Sequence, residues 1–467
     1  MRVLLLEPPL STRPTGIFPR HPPHYALYAA AVLRAEGHEV HVLDAFVEDL
    51  SASGAAARAA ALAPGLAVIV PYDYTRETPP EVGQSVATAL RTALPGVRIG
   101  LAGSVDAEHF RRQLVACPAL DFATVGEYER TLVAVAARGA RGLEGVPGLL
   151  LRAPEGLVDT GPAEVVQDLD SLPWPAWELV DFPRYTFVPH RYRRVPFYPL
   201  LASRGCPYGC LCCKEARWSR ISRVRVRTVP NVLAEIQHAI QRWGAREIQF
   251  SDATFGQRRD WVFELCGALG REFPGLPWTA ITRVDLMSPD LLSAMARAGC
   301  WNLLYGVESA NQHALDRVGK RIDLATVRAT FAATRAAGIQ STASFIVGLP
   351  GEDREDVLRT IAFACALDPD FAQFFVLKYY GDDGALDAWG RVDPGWDLAP
   401  YDFRGPVFVP RAFAGPRELR ALQRLAYRRF YLRPRVIARR LAELGEPGQL
   451  GRHLHAARIL AGTLRTR

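Results

Sequence analysis

The stretch Ser203-Arg204-Gly205-Cys206-Pro207-Tyr208-Gly209-Cys210-Leu211-Cys212-Cys213 decides the fold and the chemistry of this chain. It contains the spacing Cys-x3-Cys-x2-Cys directly after an apolar, strand-like segment. Three thiolates on one short loop can hold three irons of a 4Fe-4S cluster and leave the fourth iron open. A structural zinc site would want four ligands, and adjacent Cys212 and Cys213 point in different directions. Zinc and an inert group of thiols are the alternatives to an open cluster.

Six strand-like segments surround this loop in an alternating series of strands and helices. The expected strands are Leu200–Ser203, Glu247–Ser251, Trp278–Ile281, Trp301–Tyr305, Thr342–Val347 and Gln373–Leu377. The helices that fit between them are Val229–Trp243, Asp260–Phe273, Pro289–Ala298, Leu324–Ala337 and Arg354–Ala366. Six βα units predict an open or partial (β/α)6 barrel over residues 196–385, whose active face lies at the carboxyl ends of the strands.

Residues 1–145 predict a separate α/β domain with a doubly wound parallel sheet. Its near-continuous apolar strands are Arg2–Leu6, Glu39–Leu43, Leu66–Val70, Val97–Ala102 and Phe122–Val125, a pattern typical of parallel sheets covered on both faces. Pro8-Pro9 stands where an ordinary dinucleotide-binding fold would carry Gly-x-Gly-x-x-Gly, so that fold is disfavoured. Residues 146–195 are rich in proline and aromatic residues and predict a linker. Residues 386–467 predict an arginine-rich helical region.

The composition is that of a globular chain: 467 residues, 49% hydrophobic and 22% charged. No apolar stretch reaches the roughly 20 residues of a membrane span, and Glu7 ends the first apolar run too early for a signal peptide. We therefore expect a cytoplasmic protein. Residues 411–467 hold fourteen Arg against three Glu. This basic region is interpreted as a solvated helical face, or as a surface for an acidic electron donor, an anionic substrate or nucleic acid.

The cysteine loop at the end of the first barrel strand resembles the radical S-adenosylmethionine (SAM) superfamily. The resemblance covers residues 196–385. It implies that Cys206, Cys210 and Cys213 ligate a 4Fe-4S cluster, that SAM chelates the open iron, and that one electron cleaves SAM to methionine and a 5′-deoxyadenosyl radical. The family usually carries an aromatic residue just before the third cysteine, where this chain has Cys212.

Residues at successive strand ends are similar to the SAM-binding positions of that superfamily. The segment Gly306-Val307-Glu308-Ser309 resembles its Gly-x-Glu-Ser motif, and Phe345–Glu352 resembles its adenine-side motif. The resemblance implies SAM contacts for Tyr208, Asp252, Arg283, Glu308, Ser309, Ser344 and Gly348. Taken singly, an Arg or Glu at a strand end is more often a cap or a surface ion pair.

A doubly wound domain ahead of a radical barrel resembles the cobalamin-binding subgroup of the superfamily. The similar segments include Pro22-Pro23, Gly37-His38-Glu39-Val40 and Gly126-Glu127. The resemblance implies cobalamin contacts for the strand-end residues Pro8, Asp44, Tyr72, Thr75, Gly103, Ser104, Gly126 and Glu127. The signature Asp-x-His-x2-Gly is absent from the sequence, so bare cobalt or a water beneath it is expected. The alternative is a domain that keeps this fold without cobalamin.

The resemblance implies a cobalamin-dependent radical SAM methyltransferase that methylates an unactivated carbon of a small molecule or natural product. Lys378, Tyr379 and Asp382 follow the sixth strand and are the candidate catalytic residues of the substrate cavity. A flavodoxin or ferredoxin is the expected electron donor. A radical cyclase, a rearranging or oxidising enzyme, and a redox or cobalamin sensor are the alternatives. An RNA-modifying enzyme is disfavoured because the basic region lacks an interleaved aromatic platform.

Overall fold

The computed structural model describes residues 1–9, 20–73, 76–78, 80–104, 107–139, 142–186, 191–213, 223–379, 384–393, 407–443 and 449–465. The chain divides into two compact units, and the described residues up to Thr186 form the first while those from 191 onward form the second. Each unit is built on its own parallel sheet. The expected α/β fold class is therefore confirmed.

The first unit carries a seven-stranded sheet in the order β2-β1-β3-β6-β7-β8-β9. Its strands, with the separate hairpin β4–β5, are β1 (Arg2–Glu7), β2 (Glu39–Asp44), β3 (Leu66–Ile69), β4 (Tyr72–Asp73), β5 (Arg76–Glu77), β6 (Arg98–Ser104), β7 (Phe122–Val125), β8 (Leu149–Ala153) and β9 (Gly156–Asp159). The five strands from β2 to β7 in this order are parallel, and β8 and β9 add to the edge in antiparallel pairs.

Helices cover both faces of this sheet, as the apolar strands predict. They are α1 (His24–Ala35), α2 (Ala52–Leu62), α3 (Pro80–Ala93), α4 (Ala107–Ala116) and α5 (Glu129–Arg138). Val3 and Leu5 of β1 pack in one core with α1 and α5, whereas Leu4 and Leu6 pack in the other with α2, α3 and α4. The strand order reverses between β1 and β3, which makes the carboxyl edge at that point the expected ligand site of such a sheet.

The expected linker is largely part of the first unit. Leu149–Ala153 pairs with β7 because its leucines are apolar enough to extend the sheet and bury there. Further along, the Ala176 N–H donates to the Leu27 carbonyl at 3.1 Å, and Trp177 is 1% exposed. The aromatic residues of this segment therefore pack on the first domain, and residues 191–195 belong to the second unit.

The second unit carries six parallel strands in the order β10-β13-β14-β15-β16-β17. Its strands are β10 (Phe197–Leu200), β11 (Ser203–Arg204), β12 (Arg225–Val226), β13 (Glu247–Phe255), β14 (Trp278–Thr282), β15 (Cys300–Glu308), β16 (Gln340–Val347) and β17 (Phe371–Val376). Its helices are α6 (Val229–Trp243), α7 (Arg259–Glu272), α8 (Pro289–Arg297), α9 (Gln312–Arg317), α10 (Leu324–Ala336) and α11 (Arg354–Leu367). This is the partial barrel that the sequence predicts.

The last strands of the barrel show which side chains face its interior. Phe345 of β16 stacks on Phe374 of β17 at 5.3 Å between ring centroids, beneath the outer helices. Because strand side chains alternate, Ser344, Ile346 and Phe375 point the other way, and all three are half-buried where their neighbours are buried. The carboxyl half of the barrel interior is therefore accessible to a small molecule.

The region after the barrel forms a ribbon and three helices: β18 (Gly390–Asp393), β19 (Val407–Pro410), α12 (Pro416–Tyr431), α13 (Pro434–Glu443) and α14 (Gln449–Arg465). Several of its arginines are bound within the unit: Arg433 and Arg439 each reach Asp368 at 2.9 Å. The interpretation of this region as a solvated helical face is therefore wrong for these side chains, because they tie the helices to the barrel. None of the described helices combines the length and apolarity that a membrane span requires.

Candidate active site

The cysteine loop begins where the backbone leaves the barrel sheet. The first strand ends at Leu200, three residues earlier than expected, because Ser203–Arg204 pairs with Arg225–Val226 in a separate antiparallel ribbon. Gly205 follows with φ +93°, and a Cβ there would lie 3.0 Å from the Arg223 carbonyl oxygen. A glycine is needed at this turn because L-residues rarely adopt that conformation.

Asp252, at 1% exposure, fastens this turn to β13. Its carboxylate accepts the Ala202 N–H at 2.8 Å and the Ser203 hydroxyl at 2.6 Å. Burial raises the pKa of Asp252 to about 6, although these hydrogen bonds oppose the shift. Asp252 therefore orients the loop that carries the cysteines, and its contact with the methionine part of SAM stays a prediction.

The three cysteines of the motif lie on one loop at the carboxyl end of β10. Cys206 and Cys210 are buried and Cys213 is half-buried. The Cys206 Sγ lies 3.5 Å from the Thr254 hydroxyl oxygen, and the Cys210 thiol points to the Gly319 carbonyl at 3.7 Å. Because these thiols face separate partners, no three His, Cys, Asp or Glu side chains of the described residues already surround a metal position. The donor set itself, two buried thiols and one half-buried thiol within one short loop, suits an iron–sulfur cluster.

Cys212 has a different environment from its neighbour Cys213. It packs, with Leu211, against an apolar cluster that includes Val318 and Leu349. Burial, followed by the charges of Glu308 and Cys213, raises the pKa of the Cys212 thiol well above its usual range. A thiol in apolar packing favours its neutral form, which agrees with Cys213 as the third ligand.

Arg283 and Tyr208 bring the end of β14 against the cysteine loop. The guanidinium carbon of Arg283 lies 3.7 Å from the centre of the Tyr208 ring. The same guanidinium makes a bidentate pair with Asp285 at 2.9 and 3.0 Å and donates to the Lys320 carbonyl at 2.7 Å. Arg283 therefore fixes the loop by cation–π and ionic contacts, and its expected contact with SAM stays a prediction.

Glu308 and Lys320 form a buried ion pair beside the cysteines. The Lys320 Nζ lies 2.6 Å from the Glu308 Oε1, and the two side chains are 10% and 12% exposed. Burial disfavours the Lys320 ammonium, but Glu308 and the thiols of Cys210 and Cys212 outweigh it and raise the pKa of Lys320. Glu308 adopts φ +68°, a strained left-handed conformation for a residue with a side chain.

Ser309 and Glu352 connect the ends of β15 and β16. The Ser309 hydroxyl donates to Glu352 at 2.5 Å, and the Leu349 N–H donates to the same carboxylate at 2.9 Å. Desolvation raises the pKa of Glu352 to about 7. Gly348 has φ +86° in this turn, and a Cβ there would lie 2.8 Å from the Leu419 side chain. One buried hydrogen-bond network thus joins the two segments that resemble SAM-binding motifs, Gly306–Ser309 and Phe345–Glu352.

Comparison with known proteins identifies the family of the barrel. Residues 200–364 match the radical SAM superfamily. The barrel is a radical SAM domain. The chain is 28% identical over 465 residues to an uncharacterized methyltransferase of Pyrococcus horikoshii, with 95% of each chain covered. It is also 26% identical over 445 residues to the anaerobic magnesium-protoporphyrin IX monomethyl ester cyclase of Rubrivivax gelatinosus, covering 92% of this chain and 78% of the relative.

Solved structures share the fold of this chain. The radical SAM methyltransferase TsrM from Kitasatospora setae, with tryptophan and a SAM analogue bound, superposes with a TM-score of 0.72 at 19% identity and covers 98% of this chain and 99% of that one. The cobalamin-dependent SAM radical enzyme OxsB superposes with a TM-score of 0.64 at 17% identity, covering 83% of this chain and 54% of that one. The fold likeness includes both units of the chain.

The predicted cobalamin contacts of the chain lie at the carboxyl edge of the first sheet. Pro8 follows β1, Asp44 ends β2, and Gly103 and Gly126 turn with φ +92° and +96° at β6 and β7. Asp44 accepts the Tyr185 hydroxyl at 3.0 Å. Glu127 accepts the Val166 N–H at 2.9 Å. Thr75 lies outside the described residues, as do the side chains of Tyr72 and Ser104.

Two of the three candidate catalytic residues after β17, Lys378 and Tyr379, lie within the described residues. Tyr379 is 5% exposed and packs in the same apolar cluster as Leu377 and Phe408. Lys378 makes a backbone bridge to Val407. Asp382 lies outside the described residues. The packing of Tyr379 favours a structural role, and the catalytic assignment of all three stays a prediction.

Two residues of this site were missed by sequence reasoning. Lys320 follows a short helix, and Glu352 ends a turn, so neither stands directly at a strand end. The composition offers one signal for Lys320. Only three of the 56 Lys and Arg residues of the chain are lysines, so each lysine departs from the arginine bias of the sequence. No comparable signal marks the pairing of Glu352 with Ser309, which lies 43 positions earlier.

Proposed function

We propose that this radical SAM enzyme is a cobalamin-dependent methyltransferase that methylates an unactivated carbon of a small-molecule substrate. The observation that carries the proposal is the presence, in one chain, of a three-thiol loop on a partial barrel and a doubly wound sheet with glycine turns at its carboxyl edge. The methyltransferase relative of Pyrococcus horikoshii, aligned over 95% of the chain, supports it.

The cysteine loop fits the cluster that the superfamily implies. Cys206, Cys210 and Cys213 would hold it, while Asp252 and Gly205 fix the turn that presents them. When bound, the cluster and SAM supply a 5′-deoxyadenosyl radical, and methylated cobalamin supplies the methyl group. The chain's own part is to orient these groups and to exclude water with apolar side chains of the barrel interior.

The edge of the first sheet fits a large, flat ligand. Its two glycine turns, at Gly103 and Gly126, keep side chains away from neighbouring strand ends, and the switch point between β1 and β3 lies beside them. Pro8, Asp44 and Glu127 would border the ligand, together with Tyr72, Thr75 and Ser104. TsrM, which has the same fold, has been solved with cobalamin and a [4Fe-4S] cluster bound.

A second candidate function is radical cyclisation on the same scaffold. The Rubrivivax gelatinosus relative, which aligns with 92% of this chain, is a cyclase of a magnesium porphyrin ester. A cyclase needs the radical but transfers no methyl group. The two functions therefore differ in whether S-adenosylhomocysteine accumulates.

The proposal is tested by counting the products of SAM. The chain is reconstituted anaerobically with iron, sulfide and hydroxocobalamin, reduced in the presence of SAM, and assayed for 5′-deoxyadenosine and S-adenosylhomocysteine. We expect both nucleosides. 5′-Deoxyadenosine without S-adenosylhomocysteine would refute methyl transfer and favour the cyclase, and neither nucleoside would refute both functions.

A matched pair of variants tests the ligand set in the same assay. Cys213→Ala should abolish the cluster and 5′-deoxyadenosine formation, because it removes one of three iron ligands. Cys212→Ala, one position earlier, should keep both, because that thiol packs in the apolar cluster. Iron and sulfide content per chain give the first readout. Equal loss in the two variants would contradict the assignment of Cys213.

A further inference from the structure

The Glu308–Lys320 ion pair lies beside the cysteine loop. The proposed function assigns no joint role to these two side chains. Its 2.6 Å contact is almost enclosed, at 10% and 12% side-chain exposure. Removing two charges from water is costly, and an apolar pair of similar size is often as stable. Such a pair is therefore weak evidence for stability and points to an electrostatic task.

Local backbone features make room for this pair. A Cβ on Gly306 would lie 2.3 Å from the Glu308 Oε1 and 2.6 Å from the Lys320 Nζ, so a larger residue there would displace the paired ends of these side chains. Glu308 itself is held at φ +68°, a strained conformation for a residue with a side chain. The space is also narrow for a basic side chain, which favours a compact ammonium in a chain whose basic residues are mostly arginine.

The two residues before Lys320 contact the cysteine loop, and Lys320 itself contacts Arg283. The Leu211 N–H donates to the Val318 carbonyl at 2.9 Å, and the Cys210 thiol points to the Gly319 carbonyl at 3.7 Å. The Lys320 carbonyl accepts from Arg283 at 2.7 Å. The ammonium and the carboxylate are therefore held at fixed positions relative to the thiols.

We propose that Glu308 and Lys320 form a charge-balanced pair that sets the reduction potential of the group bound by Cys206, Cys210 and Cys213. This inference rests on the proposed function, which places a 4Fe-4S cluster on those thiols. Local net charge is one of the properties that set the potential of such a cluster. In the intact pair, the two opposite charges cancel. Removal of one partner leaves a single fixed charge in a medium of low dielectric constant.

The pair acts on electron transfer to the cluster without forming or breaking a bond. An uncompensated Glu308 carboxylate opposes the arriving electron, so Lys320→Met should lower the midpoint potential. An uncompensated Lys320 ammonium attracts it, so Glu308→Gln should raise the potential. The double variant is neutral and should return close to the wild-type value. These residues are positioning residues for the cluster.

The experiment is an anaerobic potentiometric titration of the reconstituted full-length chain without SAM, followed by the EPR signal of the reduced cluster. At a fixed applied potential, we expect the ratio of reduced to oxidised cluster to change about tenfold in opposite directions for the two single variants, or ~59 mV each for one electron. Arg435→Met, which removes a positive charge from a side chain that is 84% exposed, should leave the potential unchanged.

Each outcome supports or overturns the inference. Opposite shifts that cancel in the double variant support it. Shifts of the same sign, no shift, or loss of the cluster from either single variant would overturn it and leave a purely structural pair. A wild-type chain that binds no cluster after reconstitution would overturn the proposed function itself.

Discussion

Glu352→Gln should remove a pH-dependent loss of stability from the barrel. Glu352 is 1% exposed, and burial raises its pKa from 4.5 to about 7. At about 1.4 kcal/mol for each pKa unit, ionisation of this carboxyl costs the folded chain about 3 kcal/mol. The folded state binds the proton more tightly than the unfolded state. The contribution of protonated Glu352 to stability is therefore fully present below the pKa of this carboxyl in the unfolded chain. It is lost as the pH rises through the pKa of Glu352 in the folded chain.

Most of this loss of unfolding free energy falls within a pH range in which unfolding can be measured. Between about pH 5.5 and about pH 8.5, linkage predicts that the wild type loses about 2 kcal/mol more than Glu352→Gln. Glutamine keeps the shape of the side chain: its carbonyl accepts the Leu349 N–H and its amide donates to the Ser309 hydroxyl. Other titrating groups are shared by the two chains, so their contributions cancel in the difference.

The assay is denaturant unfolding of both chains across this pH range, followed by tryptophan fluorescence. Because a chain of two units can unfold in more than one transition, the comparison uses the unfolding transition whose midpoint is shifted by Glu352→Gln. A difference in unfolding free energy that grows in favour of the variant as the pH rises would agree with the structure. Parallel pH profiles for the two chains would refute the buried, raised-pKa state of Glu352.

Two further substitutions test contacts around the barrel. Gly306→Ala should destabilise the chain by about 1–3 kcal/mol, because the new methyl group overlaps the side chains of Glu308 and Lys320. Denaturant unfolding measures this change in the free energy of unfolding. Gly270→Ala, at an exposed helical position, is the control and should be neutral or stabilising. Asp368→Asn should weaken the hold of Arg433 and Arg439 by about 1 kcal/mol in total; hydrogen exchange in residues 434–443 should then accelerate, and unchanged exchange would contradict this role.

The sequence predicts the sheets of both units well, because near-continuous apolar runs determine them. The expected strand Leu66–Val70 differs by one residue from the observed Leu66–Ile69, and Trp278–Ile281 by one residue from Trp278–Thr282. Strands β13 and β15 continue four and three residues beyond their expected ends, to Phe255 and Glu308. The first barrel strand, which the sequence extends to Ser203, ends three residues earlier. There the Asp252 carboxylate binds the backbone after Leu200 and draws it out of the sheet. Such a long-range contact leaves no local pattern.

The position of the cysteine loop was also predictable from the sequence, but the side-chain contacts that hold the loop in place were not. The spacing of three cysteines and the strand-end positions of Arg283 and Glu308 are visible in the sequence. The Glu308–Lys320 pair depends on a left-handed backbone at Glu308, which residue type does not predict. The helix Gln449–Arg465 lies within the region that the sequence predicts to be helical, residues 386–467.

Transfer of the SAM methyl group to cobalamin tests the central claim most directly, and it needs no substrate. The reconstituted chain is reduced with SAM that carries a ¹³C-labelled methyl group, and the corrinoid that stays bound through gel filtration is extracted in the dark for mass spectrometry. A cobalamin-dependent methyltransferase should retain stoichiometric corrinoid and yield ¹³C-methylcobalamin. A chain that binds no corrinoid, or whose bound corrinoid stays unlabelled while 5′-deoxyadenosine forms, would contradict the account.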